Sequence, residues 1–295
     1  MSPGIGQLRG STSIDNDAFT AFEEAGWDAK AAGYDDFVVR VTSRLVGPLL
    51  DAVGARSGVR LLDVASGPGY AAVEGARRGA SVVGVDISES MVELASRLHP
   101  QIEFRVGNAE DLPFPDNSFD AVVGNFVTLH LARPEKAAAE FHRVLSPGGR
   151  LALTVWDVPE RTRLFGVFLD ATAEAGAVPP DEIPAGPPFF RFSEDDEFVR
   201  LLHEQSFDNV EVETIAFSCE VPSASALWHG LLAGTVRTSA LIERQSEDVQ
   251  RRIYAAFMRS AQLYDVGGRL ELPVAVKLAS GSKSGADVRR DASPE

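Results

Sequence analysis

The spacing of apolar residues changes along the chain in a regular way. Helical spacing over 17–53 predicts two helices before the first strand. Short apolar runs and amphipathic stretches then alternate as far as residue 155, which favours a parallel sheet with helices on both faces. The expected strands are 60–64, 81–85, 102–106, 121–126 and 150–155, and the expected helices are 71–78, 89–98 and 134–144.

The pattern loosens after residue 157. Helical or alternating spacing predicts helices over 164–175, 224–235 and 247–263 and strands over 210–221 and 269–278. Ser193, followed three residues later by Asp196, predicts the cap of a further helix that ends at residue 205. The proline-rich segment 178–188 predicts a loop, and we find no internal repeat.

Both ends of the chain lack apolar periodicity. Residues 1–16 and 281–295 are rich in Gly, Ser, Asp and Arg, and we expect them to be disordered. One domain is therefore expected over 17–280.

A glycine-rich turn follows the first strand and an acid ends the second. Gly67 and Gly69 let a ligand approach the backbone, and the helix after them directs free N–H groups at that ligand. Asp86 is placed to accept hydrogen bonds from two ribose hydroxyls. These features predict half of a nucleotide-binding α/β fold. The glycine spacing also fits a nicotinamide-dependent oxidoreductase, which is disfavoured because Asp63 stands where a dinucleotide site usually has an apolar residue or glycine.

Further motifs occur in a fixed order. The stretch Arg60-Leu-Leu-Asp-Val-Ala-Ser-Gly-Pro-Gly-Tyr70 is followed by the acid-ended strand 81–86 and by motifs at 107–123 and 140–151. The order and spacing of these motifs resemble those of class I S-adenosylmethionine-dependent methyltransferases, especially the branch that methylates small molecules, including quinones, sterols and natural products. The resemblance covers about the first half of the chain and continues less tightly to the final strand.

The resemblance implies a specific α/β architecture. The fold is expected to be a doubly wound, Rossmann-like seven-stranded sheet with its last strand antiparallel. Helices precede the sheet, and lid elements at about 158–205 and 222–266 are expected to arch over the active site.

The resemblance also implies S-adenosyl-L-methionine as the cofactor. Its amino-acid tail is expected at the backbone of Ala65, Gly67 and Gly69. Asp63 lies either near the ammonium group of that tail or merely ties down the glycine loop. Asp86 is expected to bind the ribose.

The adenine and the sulfonium have their own candidate residues. The residues expected near adenine are Ile87, Met91, Asn108, Ala109 and Glu110. Met91 either lines the adenine slot or packs its helix, and Asn108 replaces the Asp that the family commonly has. Asn125 and Phe126 are expected near the sulfonium, although a core position fits Phe126 equally.

The acceptor side is less defined by the sequence. His130 follows the fourth strand at the edge where open α/β sheets bind ligands, so it is either a general base or a residue without chemistry. The candidates for contact with the acceptor are Trp27, Tyr34, Phe190, Trp228 and His229. Each of these side chains also fits a packing role. Together with Phe189 and Phe192 they favour an apolar acceptor.

Composition narrows the function classes. The chain has 295 residues with 28 Lys plus Arg against 43 Asp plus Glu, and its net charge of −15 disfavours nucleic acid as a substrate. A single cysteine, Cys219, excludes an intramolecular disulfide and a multi-cysteine zinc site, and we expect no metal. No apolar run is long enough for a membrane span and the start does not resemble a signal peptide, so we expect a cytoplasmic protein.

The sequence therefore predicts methyl transfer from S-adenosylmethionine to a small, largely apolar metabolite, as in natural-product biosynthesis. The alternatives are a non-catalytic scaffold that binds the same cofactor and the disfavoured nicotinamide-dependent oxidoreductase. The identity of the acceptor, the methylated atom and the oligomeric state stay open.

Overall fold

A single mixed sheet runs through the computed structural model, which describes residues 14–285. Its strands are β1 (Arg60–Val64), β2 (Ser81–Asp86), β3 (Glu103–Val106), β4 (Phe119–Asn125), β5 (Leu145–Trp156), β6 (Phe207–Val221), β7 (Asp265–Val266) and β8 (Arg269–Lys283). The main order is β3-β2-β1-β4-β5-β8-β6, with the short β7 beside β8. The first five strands are parallel, and β8 is antiparallel to both β5 and β6. The predicted fold class is confirmed.

Helices cover both faces of the sheet because its parallel strands are apolar on both sides. The helices that cover the two faces are α3 (Val46–Ala52), α4 (Tyr70–Arg77), α5 (Glu89–Leu98), α6 (Pro134–Val144) and α8 (Asp195–Glu204). Leu61 belongs to a core cluster with α3 and α4, whereas its neighbour Leu62 belongs to a cluster with α6 and α8. Adjacent residues thus serve opposite faces, as a pleated strand requires.

A third cluster joins helices to the outer strands of the sheet. It is built mainly by α7 (Arg163–Glu174), α9 (Ala224–Gly234) and α11 (Glu247–Ala261) against residues of β5, β6 and β8. The short helix α10 (Arg237–Glu243) joins α9 to α11 and was not predicted from the sequence.

The N-terminal helices lie over the carboxyl edge of the sheet. Helix α1 (Asn16–Gly33) continues through a π-helical turn (Tyr34–Val38) into α2 (Val39–Thr42). Asp15 caps α1 by accepting a hydrogen bond from the backbone N–H of Ala18. Farther along α1, the Asp28 carboxylate accepts from the Ser88 hydroxyl at 2.6 Å, which fixes the helix beside the start of α5.

The predicted boundaries need two corrections. Strand β8 passes the expected domain end at 280, because Gly281 pairs with Leu151 and Lys283 with Phe207 in the strands on either side. Polar and glycine residues end the apolar pattern there, but pairing on both edges keeps the backbone in the sheet. The helix α1 likewise includes Asn16, within the predicted N-terminal tail. The remaining parts of the two predicted tails, residues 1–13 and 286–295, lie outside the described residues.

The predicted cap of α8 is also wrong. Ser193 lies in a 3₁₀ turn before the helix, and its hydroxyl donates to the carbonyl of Phe190 at 2.7 Å. The N-cap position belongs to Glu194, whose side chain makes no capping hydrogen bond. Within 14–285 there is no helix that is both long and apolar enough to cross a membrane.

Candidate active site

A cavity of about 1090 Å³, including its mouth, opens at the carboxyl ends of the parallel strands. The cavity lies between β1 and β4, which are neighbours in the sheet. The chain leaves these two strands toward opposite edges of the sheet, and this is the usual ligand position in an open α/β sheet. The N-terminal helix forms one wall, and the connection between α9 and α10 forms another. Predicted site residues that line it are Trp27, Tyr34, Ala65, Gly67, Asp86, Ile87, Met91, Asn108, Ala109, Glu110, Asn125, Phe126 and His130.

The glycine loop after β1 has a left-handed backbone at three positions. Ala65, Gly67 and Gly69 have φ angles of 52°, 50° and 87°. Gly67 directs its N–H at the Asp86 carboxylate, at 2.8 Å. Gly69 does not line the cavity, and an added Cβ would approach the ring of Phe104 to 2.6 Å, so Gly69 serves close packing and the turn. A contact of its backbone with the cofactor tail stays a prediction.

Asp63 is buried beneath this loop, with an exposed fraction of 2%. Its carboxylate accepts from the backbone N–H of Ala72, in the first turn of α4, at 2.9 Å. Burial raises the pKa of Asp63 to about 7, although this hydrogen bond acts in the opposite direction. It faces a smaller cleft that shares Ala65 and Gly67 with the main cavity. The structure shows the loop-anchoring contact, and a role at the cofactor ammonium stays a prediction.

Asp86 is held at the end of β2 by two backbone donors. The N–H groups of Gly67 and Ser88 donate to its two oxygens at 2.8 and 3.0 Å. Burial raises the pKa of Asp86, while these two hydrogen bonds oppose the shift. Each oxygen keeps a lone pair that a ribose hydroxyl can use. Beside it, Ile87 is half-buried in the cavity wall, and Met91 is buried and lines the wall.

The loop after β3 is folded on its own side chains. The Asn108 side-chain oxygen accepts from the backbone N–H of Glu110 at 2.8 Å, so its amide N–H₂ is the group left for a ligand. Glu110 lines the cavity, and its two oxygens accept from Arg133, through the backbone N–H at 2.8 Å and Nε at 2.6 Å. A contact of Glu110 with adenine stays a prediction. Ala109 is buried between them and lines the cavity.

The end of β4 is fixed by a small hydrogen-bond network. Asn125 accepts from the Thr154 hydroxyl at 2.7 Å and donates to the carbonyl of Thr42 at 3.1 Å. Phe126 has φ of 64°, an unfavourable backbone for a bulky residue, and its ring stacks on Trp156 at 4.0 Å. Phe126 is part of the core, as one of the two expectations had it, and it also lines the cavity. Its proximity to the sulfonium stays a prediction. Strained backbone at a cavity wall is typical of functional sites.

His130 has a buried acidic partner that sequence reasoning missed. Its Nδ1 lies 3.0 Å from Oε2 of Glu23, a residue of α1 with an exposed fraction of 2%. The other oxygen of Glu23 has no hydrogen-bond partner among the described residues. The Trp27 ring meets the imidazole edge-on at 4.9 Å. A carboxylate on Nδ1 selects the tautomer and orientation of a histidine, as in other acid–base sites.

Three predicted acceptor residues lie away from the cavity. Trp228 is buried between Phe168 and Phe257 in the helical core, because α9 turns this face toward α7 and α11. His229 is exposed, and its Nδ1 lies 2.8 Å from the carbonyl of Ser225 in the same helix. Phe190 packs against the same core cluster, while its neighbour Phe189 lines the cavity instead.

Several cavity residues were not predicted. They are Thr20, Glu23, Val38, Thr42, Gly107, Val127, Leu131, Ala132, Trp156, Phe165 and the segment 234–238, which includes Arg237. A signal for Glu23 exists in the sequence, since Phe19, Glu23 and Trp27 recur every four residues on one helix face. An acid in that apolar row indicates a buried polar contact. Arg237 had no such signal, because its helix was not predicted.

Comparisons with known proteins agree with this geometry. Residues 62–153 match the family model described as "Methyltransferase domain". The match runs from within β1 to within β5, and together with the sheet order it confirms the predicted methyltransferase domain in this part of the chain.

One curated relative is the demethylmenaquinone methyltransferase of Renibacterium salmoninarum. It is 44% identical over 120 residues, which cover 41% of this chain and 49% of the relative. This chain thus spans about half the length of the curated relatives that it matches.

Solved structures share the fold at low identity. YcgJ of Bacillus subtilis superposes with a TM-score of 0.53 at 20% identity, covering 82% of this chain and 98% of that one. Phosphoethanolamine N-methyltransferase 2 of Haemonchus contortus superposes with a TM-score of 0.55 at 18% identity, covering 90% of this chain and 60% of that one. At this identity the likeness supports the fold alone.

Proposed function

We propose that the protein transfers a methyl group from S-adenosylmethionine to a small, largely apolar molecule. The observation that carries the proposal is one continuous cavity with a nucleotide-type cradle at one end and an apolar, histidine-containing pocket at the other. Methyl transfer needs the two reactants close together, in line and shielded from water, and a shared, largely apolar cavity favours these conditions.

The residues present fit the cofactor. Asp86 retains lone pairs for the ribose, and the left-handed loop at 65–69 leaves no side chain beyond Cβ at Ala65 and Gly67 in the way of the amino-acid tail. The neighbour from Haemonchus contortus was solved with S-adenosylhomocysteine, on the same fold. When bound, the cofactor supplies an activated methyl group on a sulfonium. The aromatic ring of Phe126 at the end of β4 is suited to face such a cation.

The acceptor half of the cavity is mainly apolar. Trp27, Phe126, Phe165 and Phe189 contribute aromatic surface, which favours a hydrophobic or aromatic guest over a polar metabolite. We propose that His130 removes a proton from the acceptor where the reacting atom carries one. Glu23 then acts as a positioning residue that orients the imidazole through Nδ1.

The relatives named demethylmenaquinone methyltransferase support the class of acceptor. Their names concern their own substrates, and the residues that match the family model, 62–153, end before Trp156, Phe165 and Phe189 of the apolar wall. We therefore carry over the chemistry, methylation of a small apolar molecule, and not the particular quinone.

Binding and turnover separate this proposal from its alternatives. Calorimetric titration should show binding of S-adenosylmethionine and S-adenosylhomocysteine and none of NADH, whereas NADH binding would favour an oxidoreductase. A scaffold that only binds the cofactor would bind both sulfur compounds and transfer no methyl group to any fraction of a cell extract.

A further inference from the structure

One side chain gives the acceptor pocket a positive charge. Arg237, at the start of α10, is the only lysine or arginine among the described residues that line the cavity. Its guanidinium lies over the ring faces of Phe19 and Phe189, at 5.3 and 5.5 Å from their centroids. The segment that carries it closes the cavity opposite the sheet, on the acceptor side.

The contacts of Arg237 leave most of its donors free. Nη1 donates to the carbonyl of Leu129 at 3.2 Å and Nη2 to the carbonyl of Pro187 at 3.0 Å. A guanidinium has five N–H donors in a planar fork, so two neutral acceptors satisfy only part of it. Neither of these two carbonyls is bound by Nε, and Nε is not among the buried side-chain atoms without a partner, which indicates that it is accessible.

No carboxylate neutralises this cation directly. Within 14–285, no acidic side chain forms an ion pair with Arg237. Glu23 is the acid whose charge acts on its pKa, but the Glu23 carboxylate contacts His130 instead. Burial lowers the pKa of the guanidinium, yet an arginine stays charged in proteins. A partly desolvated cation beside a cavity is a binding site for an anion.

We propose that the acceptor carries an anionic oxygen group, such as a carboxylate, that binds Arg237 while its apolar framework lies against Trp27, Phe165 and Phe189. The inference rests on the proposed function, because it names the chemical class of the acceptor of that same site. The free edge of the guanidinium fork matches the two oxygens of a carboxylate. The pocket thus selects an amphipathic acid rather than a neutral hydrocarbon.

A purely structural role for Arg237 has a matched control in Arg244. Arg244 also lies over a ring, that of Phe22 at 5.5 Å, and donates to a carbonyl, that of Glu182 at 3.1 Å. It is exposed and does not line the cavity. Replacing it removes the same kinds of contact without changing the charge of the pocket.

The test uses two fluorescent probes of nearly equal shape, 2-naphthoate and 2-naphthamide, titrated into the full chain with saturating S-adenosylhomocysteine. The wild-type protein should bind the anion about tenfold more tightly than the amide. Arg237→Met should abolish this preference and leave the affinity for the amide within about twofold. Arg237→Lys, which keeps the charge, should retain part of the preference, and Arg244→Met should retain all of it.

Equal affinity of the wild-type protein for both probes, or an unchanged preference in Arg237→Met, would overturn the proposal. If Arg237→Met does not fold, the proposal is tested with wild type, Arg237→Lys and Arg244→Met. Loss of the preference for the anion in Arg244→Met would also contradict the proposal. S-adenosylhomocysteine binding in the same samples reports separately on the proposed function, because Arg237 is not part of the cofactor cradle.

Discussion

The carboxylate of Asp86 has two kinds of partner, the glycine loop and a ligand. Its carboxylate fixes the glycine loop through the Gly67 N–H and keeps lone pairs for a ligand. The neighbouring acid Asp63 is buried more deeply and is held by one backbone donor. The two carboxylates at the ends of adjacent strands therefore respond differently to substitution and to pH.

We expect Asp86→Ala to weaken S-adenosylhomocysteine binding at least about tenfold, because hydrogen bonds to a charged group contribute roughly 1.5–3 kcal/mol each. Calorimetry on folded protein measures the affinity. Asp120→Ala is the control, because Asp120 pairs with Arg60 at the opposite end of the sheet. An affinity within about twofold of wild type in Asp86→Ala would exclude the ribose assignment.

The raised pKa of Asp63 predicts a pH dependence of cofactor binding. The cofactor ammonium favours the ionised carboxylate, whereas Asp63 in the free protein has a pKa raised by burial to about 7. Below this pKa, binding must first release a proton, so affinity for S-adenosylhomocysteine should rise as pH increases from about 6 to about 8. Asp63→Asn should flatten this rise. A wild-type affinity that is constant over this range would contradict the contact between Asp63 and the ammonium.

Among the elements of the fold, α1 makes close contact with the end of α9 and with the connection after it. Gly33 lies against the carbonyl of Ala233 in the last turn of α9, which an added Cβ would approach to 2.3 Å. Gly26 lies equally close to Val236. These small residues let the lid segment approach α1 and place Thr235 and Arg237 in the cavity wall.

Substituting Gly33 tests this contact. Gly33→Ala should lower the free energy of unfolding by about 1–3 kcal/mol, because backbone of two elements must move apart. Gly47→Ala is the matched control, since Gly47 is also helical and has no atom within 4 Å of an added Cβ. The control should be neutral or slightly stabilising, as alanine favours helix. Urea unfolding gives both values, and equal stability of the two variants would contradict the close contact.

The contact of α1 with the loop after β4 carries the proposed acid–base chemistry. His130→Ala should lower turnover about a hundredfold with little change in S-adenosylhomocysteine affinity, and should remove the pH dependence that a general base gives. Glu23→Gln should lower turnover less, because the amide oxygen can still orient Nδ1. His203→Ala is the control, since His203 does not line the cavity and its Nδ1 lies 3.2 Å from the carbonyl of Phe207. Wild-type turnover in His130→Ala across pH would assign His130 a structural role.

The same elements show how far the sequence predicts the structure. Strand β1 and helices α5 and α6 have the predicted bounds, because local apolar periodicity and caps determine them. The cofactor cradle is local too, since Gly67 and Asp86 sit at strand ends. The acceptor pocket is assembled from α1, the 189 region and α10, which are distant in sequence. Tertiary packing decides that Phe189 faces the cavity while Trp228 is buried in the helical core.

The molecule as a whole has a net charge of −15, which repels the phosphates of a nucleic acid. Arg237 is a local exception, because it places a positive charge in the wall of the cavity. Only the central part of the chain matches the methyltransferase family model, and the lid after β5 supplies much of the acceptor side. One fold can serve different substrates, so we expect the residues outside the sheet, in α1 and after β5, to select the acceptor.

Methyl transfer itself tests the central claim most directly. The full chain is incubated with methyl-labelled S-adenosylmethionine and an extract of the source cells, which is then acidified and separated into organic-soluble, protein and nucleic-acid fractions. The account predicts label in the organic-soluble fraction that depends on the wild-type protein and is strongly reduced with Asp86→Ala. Protein-dependent label in the protein or nucleic-acid fraction would contradict the proposed acceptor class, and the absence of transfer by a chain that binds the cofactor would contradict the proposed activity.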